Sequence, residues 1–177
     1  MTVPWRWRVG EVRANSTDAV RRGDTSGVED SGAEPFKIGD GPNLILVGVD
    51  GSETSMRAAA WAGGLARRHG SRLVVVYVAT SSGLSGLAPG AAVVAAARTE
   101  LARELRQLVD EGASYYGVEA RFEVRHGDPY TELLRVAEET RADTVVVGVS
   151  THTGHRIMGS LAVKLVRAGR WPVTVVP

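Results

Sequence analysis

Three stretches of the chain, "NLILVGV" at 43–49, "RLVVVYVA" at 72–79 and "DTVVVGV" at 143–149, are almost unbroken runs of valine, leucine and isoleucine. A strand that faces water on one side alternates apolar and polar residues, whereas an unbroken apolar run fits a strand covered on both faces. The segments between them have a period near 3.6. In "DGSETSMRAAAWAGGLARRHG", Ala58, Trp61, Ala62, Leu65 and Ala66 fall at helical spacing, and Gly70 closes the helix. A second helical stretch carries Val94, Ala97, Leu101, Leu105 and Leu108 on one side. "VEARFEVR" alternates as a strand, and "DPYTELLRVAEETRA" reads as a helix with Asp128 as N-cap and Pro129 at its first position. "LAVKLVRAG" predicts a fourth helix and "WPVTVVP" a short last strand. The resulting β-α-β-α-β-α-β-α-β order requires parallel pairing through helical crossovers. It therefore predicts an α/β fold, a three-layer, doubly wound, five-stranded parallel sheet.

Residues 1–42 do not share this pattern. They are rich in Gly, Ser, Asp and Glu without sustained periodicity and read as a disordered tail ahead of one domain at 43–177. Within the tail, Trp5, Arg6, Trp7 and Arg8 alternate, so an extended chain would put both indoles on one face; no function is assigned to them. The formal net charge is +1 and the charges are interspersed, which argues against a nucleic-acid partner. There is no cysteine, excluding disulfides, thiolate metal sites and cysteine nucleophiles. No apolar run approaches the roughly 20 residues that span a bilayer, and the N-terminus lacks a secretory apolar region. A soluble, cytoplasmic protein with no membrane partner is expected.

In open α/β sheets, ligands sit beyond the carboxyl ends of the strands, near the point where strand order reverses. The segments at that end are "VDGSE", "VAT", "RHGDP" and the loop "GVSTHTGHRIMGS" at 148–160. Gly159 and Ser160 ahead of the last helix form a plausible anion cradle, although a serine there is also an ordinary N-cap. Asp50 is suited to accept from a ribose hydroxyl or hold a phosphate-bound metal, and equally to start a turn into a capped helix. His152 and His155 have a spacing compatible with one metal but no carboxylate or cysteine nearby, so no metal is assigned. Ser52, His126 and Asp50 lack the G-x-S-x-G elbow of a hydrolase, and no catalytic residue is assigned.

"ILVGVDGSETSMRAAAWA", "HGDPYTELLRVAEETRADTVVVG" and "GSLAVKLVRAGRWPVTVVP", in this order and spacing, resemble the universal stress proteins over about 43–177. The resemblance implies an adenine nucleotide alpha hydrolase-like, Rossmann-like sheet and a homodimer through the last strand. It also implies a stress-responsive protein that binds ATP, with or without magnesium, as a regulatory module and is at most a slow ATPase. Carried over residue by residue, it puts Val49 and Asp50 beside the nucleotide, the backbone near Val78 on the adenine and Gly127 in the site wall. The phosphates would lie on a loop opened by Gly148 and closed by Gly159, Ser160 and Leu161. In that loop Thr151 occupies the place of a second glycine, and seven residues rather than nine separate it from Gly159. A positive φ at Thr151 would be strained by roughly 1–3 kcal/mol. Gly154 is positioned to compensate in a re-aligned loop, with His152, His155 and Arg156 as donors. The alternative is a nucleotide-free dimeric interaction module of the same fold with a degenerate phosphate loop.

Overall fold

The computed structural model describes residues 41–80, 91–150 and 159–177. Most of the predicted tail with its two tryptophans, and loop residues 151–158, lie outside them. The elements follow the expected order: β1 (Leu44–Val49), α1 (Glu53–His69), β2 (Arg72–Ala79), α2 (Ala91–Tyr116), β3 (Ala120–His126), α3 (Pro129–Thr140), β4 (Thr144–Gly148), α4 (Ser160–Ala168) and β5 (Val173–Val176). The strands form one sheet in the order β3-β2-β1-β4-β5, and every neighbouring pair is parallel.

The unbroken apolar runs are explained by two cores. Ile45, Val47 and Val49 of β1 pack under Ala58, Ala62 and Ala66 of α1 and Leu105 of α2. Leu44 and Leu46 face the other way, against Leu133, Val136 and Ala137 of α3 and Ala162 and Leu165 of α4. The central strands thus send alternate side chains into opposite apolar layers, and neither face needs polar residues. At their amino ends β1 and β4 are tied by Asp143, whose Oδ2 accepts from the N–H groups of Asn43 at 2.8 Å and Leu44 at 2.9 Å.

Two helical stripes differ from expectation. In α1 the seam consists of alanines, and Trp61 is 39% exposed at its margin because an indole does not fit between alanines packed on a sheet. In α2, Leu105 is buried and Leu101 and Leu108 are half-buried, but Val94 is 46% exposed and Ala97 is exposed. The cause is length. A helix of 26 residues is about 39 Å long and a strand of 7 about 23 Å, so the first turns of α2 extend past the sheet. Among the described residues, no helix is long and apolar enough to cross a membrane.

Candidate functional site: a pocket at the switch point of the sheet

The chain leaves β1 toward β2 and β3, then returns to β4 on the other side of β1. Beyond the carboxyl ends of β1 and β4, where the strand order reverses, a pocket of about 220 Å³ opens. Val49, Asp50, Val78, Gly148, Gly159, Ser160 and Leu161 line it. Gly127 does not. It turns β3 into α3 with φ 135° against the Glu132 side chain, and the neighbouring Pro129 reaches the pocket instead. Thr151 and Gly154 lie outside the described residues, as do His152, His155 and Arg156.

The β1–α1 wall is built from short polar side chains. Asp50 Oδ1 accepts from the Ser52 N–H at 2.9 Å, so the Asp-initiated turn is formed. Ser52 Oγ accepts from the Ser55 N–H and caps α1, while Ser55 Oγ accepts from the Asp50 N–H and donates to the Ser52 carbonyl. Partial enclosure by the protein works against ionisation of Asp50. Hydrogen bonding from Ser52, through its side chain and its backbone N–H, outweighs it and holds the carboxyl below its ordinary range. Asp50 is therefore an anion at neutral pH, and it lines the pocket.

Two members of this wall escaped sequence reasoning. Thr54 and Ser55 are buried, and Thr54 Oγ1 lies 3.2 Å from Ser52 Oγ and donates to the Val149 carbonyl at 2.8 Å. The available signal was the density of hydroxyls in "DGSETS", which exceeds what one N-cap needs.

The opposite wall is the start of α4. Gly159, not Ser160, is its N-cap, so Ser160 is the first helical residue and the serine-cap reading is corrected. A glycine suits that position because a Cβ there would sit 2.6 Å from the Ser150 Cβ. α1 and α3 are capped by Ser52 and Asp128 and carry Glu53 and Glu132 in their first turns. α4 has neither a side-chain cap hydrogen bond nor an acid in its first turn. Among the described residues, no side chain caps its amino-terminal N–H groups, which with the positive dipole end border the pocket. Gly148 has a packing reason of its own. A Cβ there would lie 2.6–2.7 Å from backbone atoms of Thr54 and Ser55.

The pocket thus sets an anionic acceptor on one side and an uncapped helix start on the other. Ser52 Oγ accepts from the Ser55 N–H and His126 does not line the pocket, so Ser52 and His126 do not form a nucleophile–base pair there. Among the described residues, no group of three or more His, Asp or Glu side chains is placed to hold a metal.

The sequence model of the universal stress protein family matches residues 43–177. The chain belongs to that family. A universal stress protein of Methanocaldococcus jannaschii is 31% identical over 146 residues, covering 78% of this chain and 86% of the relative. A solved universal stress protein family member from Burkholderia pseudomallei is 29% identical with a TM-score of 0.64, covering 81% of this chain and 99% of that one. A universal stress protein solved in complex with cAMP is 25% identical with a TM-score of 0.55, covering 77% of this chain and 97% of that one. The Rossmann-like fold and the family expected from the sequence both hold.

Proposed function

We propose that this universal stress protein binds an adenine nucleotide, with ATP as its principal ligand, in the switch-point pocket, and works as a nucleotide-responsive binding module. The observation that carries the reading is the uncapped start of α4 facing the ionised Asp50 across one pocket. The two ends suit different parts of a nucleotide. Asp50 repels phosphate and accepts from ribose hydroxyls, whereas the first N–H groups of α4 attract phosphate.

The base falls toward β2. The Ala79 carbonyl accepts from Gly127 N–H on the β3 side. Backbone groups alternate along a strand, so the Val78 carbonyl points to the β1 side, past the last paired residues Val49 and Tyr77. An adenine amino group is a suitable donor to it. At about 220 Å³ the pocket lies below the roughly 300 Å³ at which ligand sites commonly begin, so a triphosphate extends from its mouth. Magnesium, when bound, rides on the phosphates. The relative in complex with cAMP supports an adenine nucleotide as the ligand class.

A homodimer through β5 accompanies this reading. Pro172 and Val176 carbonyls accept from Val145 and Val149, which turns the backbone groups of Val173 and Val175 to the open edge, where a second copy pairs with them.

The test is thermal unfolding of the full chain with millimolar Mg-ATP, AMP or GTP, with Asp50→Ala alongside. A ligand at 100 times its Kd stabilises by roughly 2.7 kcal/mol. The expected result is a rise of several degrees with the adenine nucleotides that shrinks in the variant. No rise with any adenine nucleotide overturns the reading in favour of a nucleotide-free interaction module.

A further inference from the structure

We infer that Thr54 is a positioning residue for the phosphate end of the pocket, acting through the hydroxyl it presents to β4. Its binding readout rests on the adenine-nucleotide reading above; its structural readout does not.

Thr54 is buried in the first turn of α1, yet its hydroxyl contributes nothing to capping that helix, which Ser52 does. Instead Thr54 Oγ1 donates to the carbonyl of Val149, 95 residues later and one residue past the end of β4. That residue is fixed from its other side as well, because the Val149 N–H donates to the Val176 carbonyl of β5 at 2.9 Å. Val149 is therefore held between the helix that begins the nucleotide wall and the edge strand.

Through the next residue this anchoring reaches the ligand. Ser150 lies so close to Gly159 that any Cβ at 159 would meet it. Gly159 is the N-cap of α4, and its helix start is the anion-attracting end of the pocket. The order of contacts is thus Thr54 hydroxyl, Val149 carbonyl, Ser150, Gly159, phosphate. Gly148 serves the same docking from below, since its missing side chain lets Thr54 and Ser55 backbone approach β4. Ser52 Oγ, 3.2 Å from Thr54 Oγ1, extends the chain of hydroxyls to the turn that holds Asp50. One side chain thereby sets the separation between the ribose end and the phosphate end.

The hydroxyl, not the volume, is the operative group. Valine matches threonine in shape and branching but leaves the Val149 carbonyl without this donor. Serine keeps the donor. The full chain is compared as wild type, Thr54→Val and Thr54→Ser by calorimetric titration with adenosine, AMP and ATP. Backbone amide exchange of Val149 and Ser150 is followed without ligand.

Thr54→Val should bind AMP and ATP about tenfold more weakly, the equivalent of one net hydrogen bond, with adenosine changed much less. Thr54→Ser should restore most of the loss, and exchange at Val149 and Ser150 should quicken in the valine variant alone. Unchanged AMP affinity in Thr54→Val overturns the inference and leaves nucleotide binding standing. An equal loss for adenosine and AMP, or no recovery with serine, also overturns it, since either points to general loosening of α1. Should the wild type bind no adenine compound, the proposed function falls and exchange alone decides. Faster exchange in Thr54→Val with recovery in Thr54→Ser sustains the positioning role, and unchanged exchange removes it.

Discussion

Gly148 offers a quantitative test of how α1 docks on β4. Replacing it by alanine adds one methyl group, which would lie 2.6 Å from the carbonyl carbon of Thr54 and 2.7 Å from the Ser55 nitrogen and Thr54 oxygen. All three are backbone atoms in the first turn of a capped helix, so no rotamer change relieves the clash and α1 must move as a body. Overpacking of this kind costs about 1–3 kcal/mol, and the backbone nature of the contacts puts Gly148→Ala near 3 kcal/mol. For a domain of this size that corresponds to a fall in Tm of about 6–12 °C. Gly112, inside α2 with nothing within 4 Å of its missing Cβ, is the matched control. There the same change removes backbone freedom from the unfolded chain and should stabilise by about 0.5–1 kcal/mol. Urea unfolding followed by circular dichroism measures both. A loss below about 0.5 kcal/mol for Gly148→Ala would refute the close docking, and with it the packing account of this glycine.

The Asp50 carboxyl has a lowered pKa in the folded state, so its contribution to stability is fully present above the ordinary value of 3.8 and is lost as pH falls through the lowered one. Asp50→Asn should therefore be less stable than wild type at pH 7, with the gap closing in acid; a gap constant from pH 7 to 2 would contradict the hydrogen-bonded turn. At the edge strand, Val175→Pro deletes an N–H that faces outward rather than toward β4, and proline is tolerated on sheet edges. Light scattering at micromolar protein should then report a folded monomer in place of a dimer, and an unchanged dimer mass would place the contact elsewhere.

The sheet was legible because its physics is local. Continuous valine-rich runs require two covered faces, and Asp128-Pro129, Gly70 and the alanine seam of α1 mark helix ends and faces within a few residues of themselves. Val94 and Ala97 share the predicted stripe yet stand exposed, because periodicity reports a helix face but not whether a sheet lies under it, and α2 outruns β3. The two ends of the pocket were also legible, since Asp50 and Gly159 stand at strand and helix termini. Thr54 was not, because its partner, the Val149 carbonyl, is a backbone group that carries no residue-type signal. The tight approach at Gly148 is likewise a fact of tertiary packing, and in the sequence it is indistinguishable from a glycine kept for phosphate.

The proposed function lays an adenine nucleotide across this pocket, with its base toward Val78 and its phosphates on α4. The most direct measurement is an NMR titration of the isotope-labelled full chain with AMP and ATP, following backbone amides. Saturable shifts are expected at Ser160, Leu161 and Ala162 that are absent with adenosine, together with shifts near Val78 and Asp50 that adenosine shares. No saturable shift at millimolar nucleotide, or shifts confined to surfaces away from the carboxyl ends of β1 and β4, would contradict it.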